Sequence, residues 1–507
     1  MKRFYAACLA ILTSLNTWAS ERSLDIVAPW GIEKMDPAVS GYVFSRMRVA
    51  ETLVDTDNQG QLAPGLAISW EVSADGLNWR FTLRENTLFH NGTEVTVEAV
   101  INSLEASMAK PGMLNTAPIT HLEADGNSVV IELESAFAPL PALLAHSSTL
   151  ILAEASFAKN GDVTQVIGSG PYQVDEISLP QFMTVTRFDD YWGDAPSIKA
   201  ASYLAVSRGE TRALMAESGD ADIVFTLDLA SQARLSRNAN LSILSEPLPR
   251  TILLKLNAGH PFLEDKRARQ ALSLAIDRAD IASELLRMPE AAAAELFPES
   301  LGIWHIGVAP SSAQNIEKAR ALLLELGWQI GEDGFLTRDG QPFKLTLRTL
   351  ADRPELPLVA TALQRQWQRL GVDLEVVVSN ASAIPSGHHD GSLEVGLIGR
   401  NYGLVPNPLV SLLDDIGGKP EEMGGAWGTM NWRDDEVAEW LDTLRQSTDE
   451  QELNNLASLI AERLHQEMPL IPVAWYPQTA VVSNEVVGFS MDPLERSYRI
   501  DQMEWAK

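Results

Sequence analysis

Within residues 355–379 the hydrophobic period changes once, across a single glycine. Leu356, Val359, Leu363 and Leu370 recur at helical spacing, and directly after Gly371 the residues Val372, Leu374, Val376 and Val378 alternate with polar ones. The first pattern lines one face of a helix and the second one face of a strand. A helix that feeds straight into a strand buries both apolar faces only if the two are layered, so this part of the chain is built as α/β. The same alternation precedes it. A strand is expected over 252–256, then a helix capped by Asp265 with Ala268, Leu272, Ala275 and Ile276 on one face, then a helix over 315–326 stopped by Gly327. A hairpin turning at Asp339-Gly340 follows, its second strand carrying Phe343, Leu345 and Leu347. The last helix carries Leu453, Leu456, Ile460 and Leu464; Pro469 and Pro472 are expected to end it, with closing strands over 474–482 and 486–489.

The N-terminal half is less regular. A short apolar strand spans 24–28, and residues 43–54 read as a helix with Phe44, Met47, Ala50 and Leu53 at helical spacing. The clearest local design lies in 67–92. Trp79, Phe81 and Leu83 alternate with Arg80, Thr82 and Arg84, which is the period of a half-buried strand, and Asp75-Gly76 supplies the turn back to the strand before it. Asn91-Gly92 is a second turn, and Thr96 caps a helix with Val100, Leu104 and Met108 on one side. Residues 127–133 alternate again. Gly168-Ser169-Gly170-Pro171-Tyr172 forces a tight turn into new strands, and a strand over 201–206, a helix over 211–217 ended by Gly219 and a strand over 221–225 make a βαβ-like unit.

The chain has 507 residues, is 45% hydrophobic and carries a formal charge of −29. It can bury a large core in two or three domains, and its acidic balance argues against the basic face that nucleic acid requires. Residues 1–20 stand apart. Lys2 and Arg3 precede a short apolar run, and Thr17-Trp18-Ala19 ends in a small residue, the pattern of a secretory signal peptide cut near Ala19 or Ser20. No apolar run long enough to span a bilayer follows it. The only cysteine, Cys8, lies near the start of that apolar run, which argues against lipid attachment and leaves the mature chain without thiol chemistry.

Catalytic patterns are missing from the sequence. There is no Gly-x-Ser-x-Gly elbow, no phosphate-binding Gly-x-x-x-x-Gly-Lys loop and no His-Glu-x-x-His helix. His388-His389 is the one histidine pair, and on an extended chain its rings point to opposite faces, so it is read as an exposed loop rather than a metal site. No catalytic residue, metal or cofactor is assigned. The pattern favours a binding protein over an enzyme.

The hairpin region resembles the extracytoplasmic solute-binding proteins that feed peptide and nickel ABC importers, known as family 5. The resemblance rests on Ala67, Ser69, Trp70, Ser73, Asp75, Gly76, Trp79, Phe81, Leu83 and Arg84, followed by Phe89, Asn91 and Gly92. Further stretches resemble the family in order: Gly168-Ser169-Gly170-Pro171-Tyr172, Asp190-Tyr191-Trp192-Gly193, the run from Arg212 to Asp222, Arg267-Ala268-Arg269-Gln270-Ala271-Leu272 with Ala275-Ile276-Asp277-Arg278, and the run from Ala319 to Trp328. The resemblance implies an α/β, two-lobed periplasmic binding protein fold with a hinge and an extra domain inserted in the first lobe. The first lobe is then split over 21–50, 165–245 and 475–507, the inserted domain spans 51–164, and the second lobe spans 246–474.

Where the peptide branch of that family carries an aspartate for the peptide's amino terminus, this chain reads Ile398-Gly399-Arg400-Asn401-Tyr402-Gly403-Leu404-Val405-Pro406-Asn407-Pro408. The stretch is nearer the nickel branch, with Tyr402 and Asn407 in place of its tryptophan and aspartate. The arginines of that branch's inserted domain have no counterpart near 108–115 or 146–149, where Lys110 and His146 stand instead. The implied solute contacts are Arg400, for a carboxylate or else a neighbouring loop, Tyr402, Asn407, Trp427, His146 and Ser147. The solute is expected to be a peptide, an opine-like compound or a metal chelate. The expected partner is an inner-membrane ABC permease with its ATPase, and the expected form is a periplasmic monomer. A membrane-coupled sensor of the same fold and a secreted hydrolase are the alternatives.

Overall fold

The computed structural model describes residues 22–309, 314–351, 353, 355–417 and 424–507; the signal segment read over 1–20 lies outside them. One ten-stranded sheet organises the molecule. Its order is Asp373–Ser379, Lys344–Leu350, Val395–Asn401, Leu241–Leu256, Leu470–Ser483, Ile223–Phe225, Leu24–Ala28, Ala200–Ala205, Phe182–Arg187 and Tyr172–Ser178. The two long strands in the middle belong to both ends. Leu470–Ser483 pairs with Ile223–Phe225 through Ala480–Val482, while Leu241–Leu256 pairs with Val395–Asn401 through Arg250–Leu256. The two strands also pair with each other along their length, from Leu241 with Ser483 to Lys255 with Leu470, and their register breaks between Pro247 and Thr251.

Each half of the sheet carries its own core. Ile252, Leu254, Leu272, Leu347, Leu363 and Trp367 belong to one, and Ile26, Phe44, Tyr172, Tyr203 and Phe225 to the other. A separate four-stranded sheet, in the order Ala67–Val72, Asn78–Leu83, Ser128–Leu133 and Ile119–Asp125, holds a third core with the helix Val97–Met108. Trp79, Phe81 and Leu83 point into it as the alternation requires, and Thr96 accepts a hydrogen bond from Ala99 N at 3.2 Å as the helix cap. Val405 and Val410 join this core from the far half, and Ala138 N donates to Arg445 O at 2.7 Å, so the halves are closed against each other.

Three expectations are corrected. Residues 43–54 are not one helix. Tyr42–Arg46 is helical, but Arg48 takes φ +56° and the chain then runs extended against Gly168 and Gly170. A Cβ at Gly170 would lie 2.1 Å from Arg48 O, and Gly170 N donates to Val49 O at 3.1 Å, so that turn dictates the extended course. Pro472 does not end the last helix, which closes at Met468 in the left-handed region; Pro472 lies inside Leu470–Ser483 at a second register shift, where its missing N–H is tolerated. His388-His389 is not extended but forms the last turn of the helix Ala383–His389.

Candidate functional site

The C-terminal residues Met491–Tyr498 thread the seam between the halves. Glu495 holds the non-glycine left-handed conformation at φ +57°, and both its carbonyl and its carboxylate meet arginines. Arg46 Nε donates to the Glu495 carbonyl at 2.8 Å and Arg46 Nη2 lies 3.6 Å from Glu495 Oε1. Arg250 Nη2, on the central strand beside the register break, donates to Glu495 Oε2 at 3.0 Å. One carboxylate thus joins a first-half helix to a strand that enters the second half. Arg46 is buried under aromatic rings, 4.3 Å from the Trp30 centroid, with Tyr42 and Tyr498 beside it. Burial opposes its charge, but Tyr498 and Glu495 more than compensate and raise its pKa. Trp30 follows the carboxyl end of Leu24–Ala28, the edge at which open α/β sheets form crevices.

One residue beyond Glu495, Arg496 Nη1 donates to Asp55 Oδ1 at 3.1 Å and to Thr56 Oγ1 at 2.5 Å. Arg48 Nη1 reaches Asp55 Oδ2 at 3.0 Å. Burial acts to raise the Asp55 pKa, but the two guanidiniums hold it at about 2. Arg496 Nε is buried without a hydrogen-bond partner among the described residues. Behind this cluster Glu51 accepts from Ser169 Oγ at 2.9 Å and from Trp192 Nε1 at 3.1 Å. Burial pushes its pKa up to about 7 against the pull of Arg48.

The residues singled out in the sequence fall on both sides of the seam. His146 Nδ1 lies 2.8 Å from Ser148 Oγ, and burial, with the nearby Arg496 charge, lowers its pKa to about 4, so its imidazole is neutral. Ser147 is half-buried, its carbonyl oxygen packed so closely on Gly41 that a Cβ there would sit 2.1 Å away. In the second half, Arg400 Nε donates to Asp415 Oδ2 at 2.9 Å and Arg400 Nη2 lies 2.6 Å from Asp415 Oδ1 and 3.1 Å from Asp414 Oδ2. Its fork is therefore engaged by the helix Leu409–Ile416, which carries both aspartates. Tyr402 has no exposed surface; its ring meets Phe297 edge-on at 5.1 Å, and burial together with Asp415 raises its pKa well above the usual value. Asn407 Oδ1 accepts from Leu409 N at 3.0 Å, steadying the start of the helix Leu409–Ile416. Trp427 is half-buried against the second-half core, on a loop pinned from below by Lys255, whose Nζ donates to Gly428 O at 2.6 Å and lies 2.8 Å from His388 Nδ1. Burial lowers the Lys255 pKa to about 7.

The structure brings Arg400, Tyr402 and Asp415 together, and His146 with Arg496. The seam residues Trp30, Arg46, Arg250, Glu495 and Arg496 were missed in the sequence. The one available signal was positional, since Trp30 stands just past an apolar strand.

The family model described as bacterial extracellular solute-binding proteins, family 5 Middle, matches residues 61–415. The nickel-binding periplasmic protein of Escherichia coli K12 is 26% identical over 527 residues, covering 100% of this chain and 99% of that protein. The glutathione-binding protein GsiB of Shigella dysenteriae is 24% identical, covering 96% and 95%. The crystal structure of a nickel ABC transporter protein from Bacillus halodurans superposes with a TM-score of 0.85 at 23% identity, over 95% of this chain and 100% of that one, so the two share the two-lobed periplasmic binding protein fold. These relatives are solute-binding proteins and not enzymes, and among the described residues no helix is long and apolar enough to cross a membrane. With the match covering most of its length, the chain belongs to family 5 of the bacterial extracellular solute-binding proteins.

Proposed function

We propose that this chain is exported by its N-terminal segment, with cleavage near Ala19 or Ser20, and works in the periplasm as the monomeric receptor of an ABC importer. It captures a small carboxylate-bearing solute, either a peptide-like compound or a nickel chelate, by closing its lobes, and hands it to the permease and its ATPase. The observation that carries this reading is the pair of central strands shared by both halves of the sheet, with their register broken at Pro247. A bulge between two well-paired regions is where a strand pair bends, and a hinge needs only a few such residues. The lobes then divide as 21–50 with 165–245 and 475–507, 51–164 inserted, and 246–474. The relatives named for nickel and for glutathione support the solute class. So do Arg496, whose Nε has no hydrogen-bond partner among the described residues, and the neutral His146 beside it. On the second lobe the proposed contacts are Arg400, Asn407 and Trp427, with the buried Tyr402 supporting them from the core, and Ser147 flanks His146 on the first.

Solute stabilises the closed form by the contacts it makes only when both lobes reach it. Native mass spectrometry of the purified mature chain tests the reading. A bound species of defined mass, lost on partial unfolding and recovered on adding the extracted compound, is expected. A protein that carries nothing and shows no change in radius of gyration with nickel–histidine, glutathione or a periplasmic extract overturns it.

A further inference from the structure

We propose that a cavity of about 670 Å³ beside the central strands, which borders the seam through Pro493 but is lined by neither Arg46 nor Arg496, is a second binding site, and that it takes a small organic cation with an apolar body. Its volume lies within the range of small-molecule pockets, roughly 300–1,000 Å³. Its walls are the Trp475 indole and the rings of Pro247, Pro298 and Pro493, which offer flat apolar surface and almost no hydrogen bonding. Three carboxylates stand around it, Glu246, Glu290 and Glu299, all on exposed residues, and no lysine or arginine lines it. Among the described residues none of the three has an ion pair or a hydrogen bond, whereas elsewhere on this acidic chain carboxylates such as Asp55, Asp415 and Glu495 are each held by arginine. The like charges are therefore unrelieved around an apolar floor.

Trp475 Nε1 and Ser300 Oγ have no hydrogen-bond partner among the described residues, and both residues line the cavity. His305 stands beside Trp475 with ring centroids 6.4 Å apart, but its Nδ1 is taken by the Phe297 carbonyl at 2.9 Å. A metal ion would want converging oxygen or nitrogen ligands, and among the described residues no such group of three forms. An ammonium or guanidinium on a short carbon chain meets each feature: charge for the glutamates, a π-face at Trp475, and methylenes against the prolines.

The test uses the purified mature chain and agmatine, which carries a guanidinium and an ammonium on a four-carbon body. Titration calorimetry at low salt is expected to give saturable one-to-one binding, with Kd rising about tenfold in the double variant Glu246→Gln, Glu299→Gln. The circular dichroism spectrum and melting of that variant should match wild type, and any solute held in the seam should still co-purify with it, which separates this site from the receptor reading. Absence of saturable binding, an unchanged Kd in the double variant, or equal competition by calcium or sodium chloride at matched ionic strength overturns the proposal.

Discussion

Pro247 and Pro477 face each other in register on the two central strands, and neither can donate a ladder hydrogen bond. The next pair in register is Thr251 with Trp475, so three residues of one strand are taken up opposite one of the other. The ladder is interrupted here, beside Leu248 and Tyr476 of the second-half core. Replacing both prolines by valine restores two donors to the pair and is expected to stiffen it. The change in radius of gyration between solute-free and solute-loaded protein, measured by small-angle scattering, should shrink. An undiminished change would place the pivot elsewhere.

Among the described residues Glu495 is the one carboxylate shared by Arg46 and Arg250, and its side chain is only 11% exposed. Glu495→Gln keeps the shape and removes the charge that both guanidiniums face. Breaking a buried pair from one side costs on the order of 3 kcal/mol, less here because Arg250 is partly solvated. The closed form should lose more than the fold does. Solute Kd is expected to rise about tenfold with a melting temperature only slightly reduced. Equal loss in both would mean that the bridge serves folding rather than closure.

Arg400 and Asp415 give the opposite case. Asp415 is fully buried, with a pKa raised by burial and held back by Arg400. Arg400→Ala leaves that carboxylate without its cation and is expected to destabilise the second lobe by about 3 kcal/mol, whereas Asp414→Ala, on an exposed partner, should cost under about 0.5 kcal/mol. Urea unfolding of the two variants checks this. If Arg400→Ala instead unfolds like wild type while solute affinity collapses, the guanidinium is a solute contact and its bond to Asp415 is incidental.

These cases show which parts of the chain could be read from sequence. Thr96 capping its helix and the alternation of Trp79, Phe81 and Leu83 are local, decided within a few residues, and the structure keeps them. The course after Arg46 is decided by Gly168 and Gly170, more than a hundred residues away, so apolar spacing over 43–54 misled. The start of Leu241–Leu256 carries two prolines and polar residues, and it is a strand only because Leu470–Ser483 lies beside it. The seam was hidden for the same reason. Arg46 and Glu495 are 449 residues apart, and nothing in either neighbourhood points to the other.

Glycine substitutions test that dependence directly. At Gly170 a Cβ would meet Arg48 O at 2.1 Å, a backbone atom that cannot move aside, so Gly170→Ala is expected to cost more than about 2 kcal/mol. At Gly92, φ is +79° and nothing lies within 4 Å of the added carbon, so Gly92→Ala meets only the left-handed backbone and should cost about 1 kcal/mol. Comparable losses in the two variants would mean that the 168–170 turn is not pressed on the segment after Arg46.

Glu51 supplies a pH dependence with a definite sign. Its carboxyl is raised to about 7 by burial, despite Arg48, from an unfolded value near 4.5. Below the unfolded value both states hold the proton and the contribution is fully present. As pH rises the unfolded chain releases its proton first, so stability falls from about pH 4.5 until the folded carboxyl ionises near 7. Glu51→Gln keeps acceptors for Ser169 and Trp192 and has no proton to lose. The wild type is therefore expected to lose ~2 kcal/mol relative to the variant between pH 5 and pH 8, measured as the difference of their unfolding free energies at each pH. Parallel profiles would show that Glu51 is ionised throughout and that Arg48, not burial, governs it.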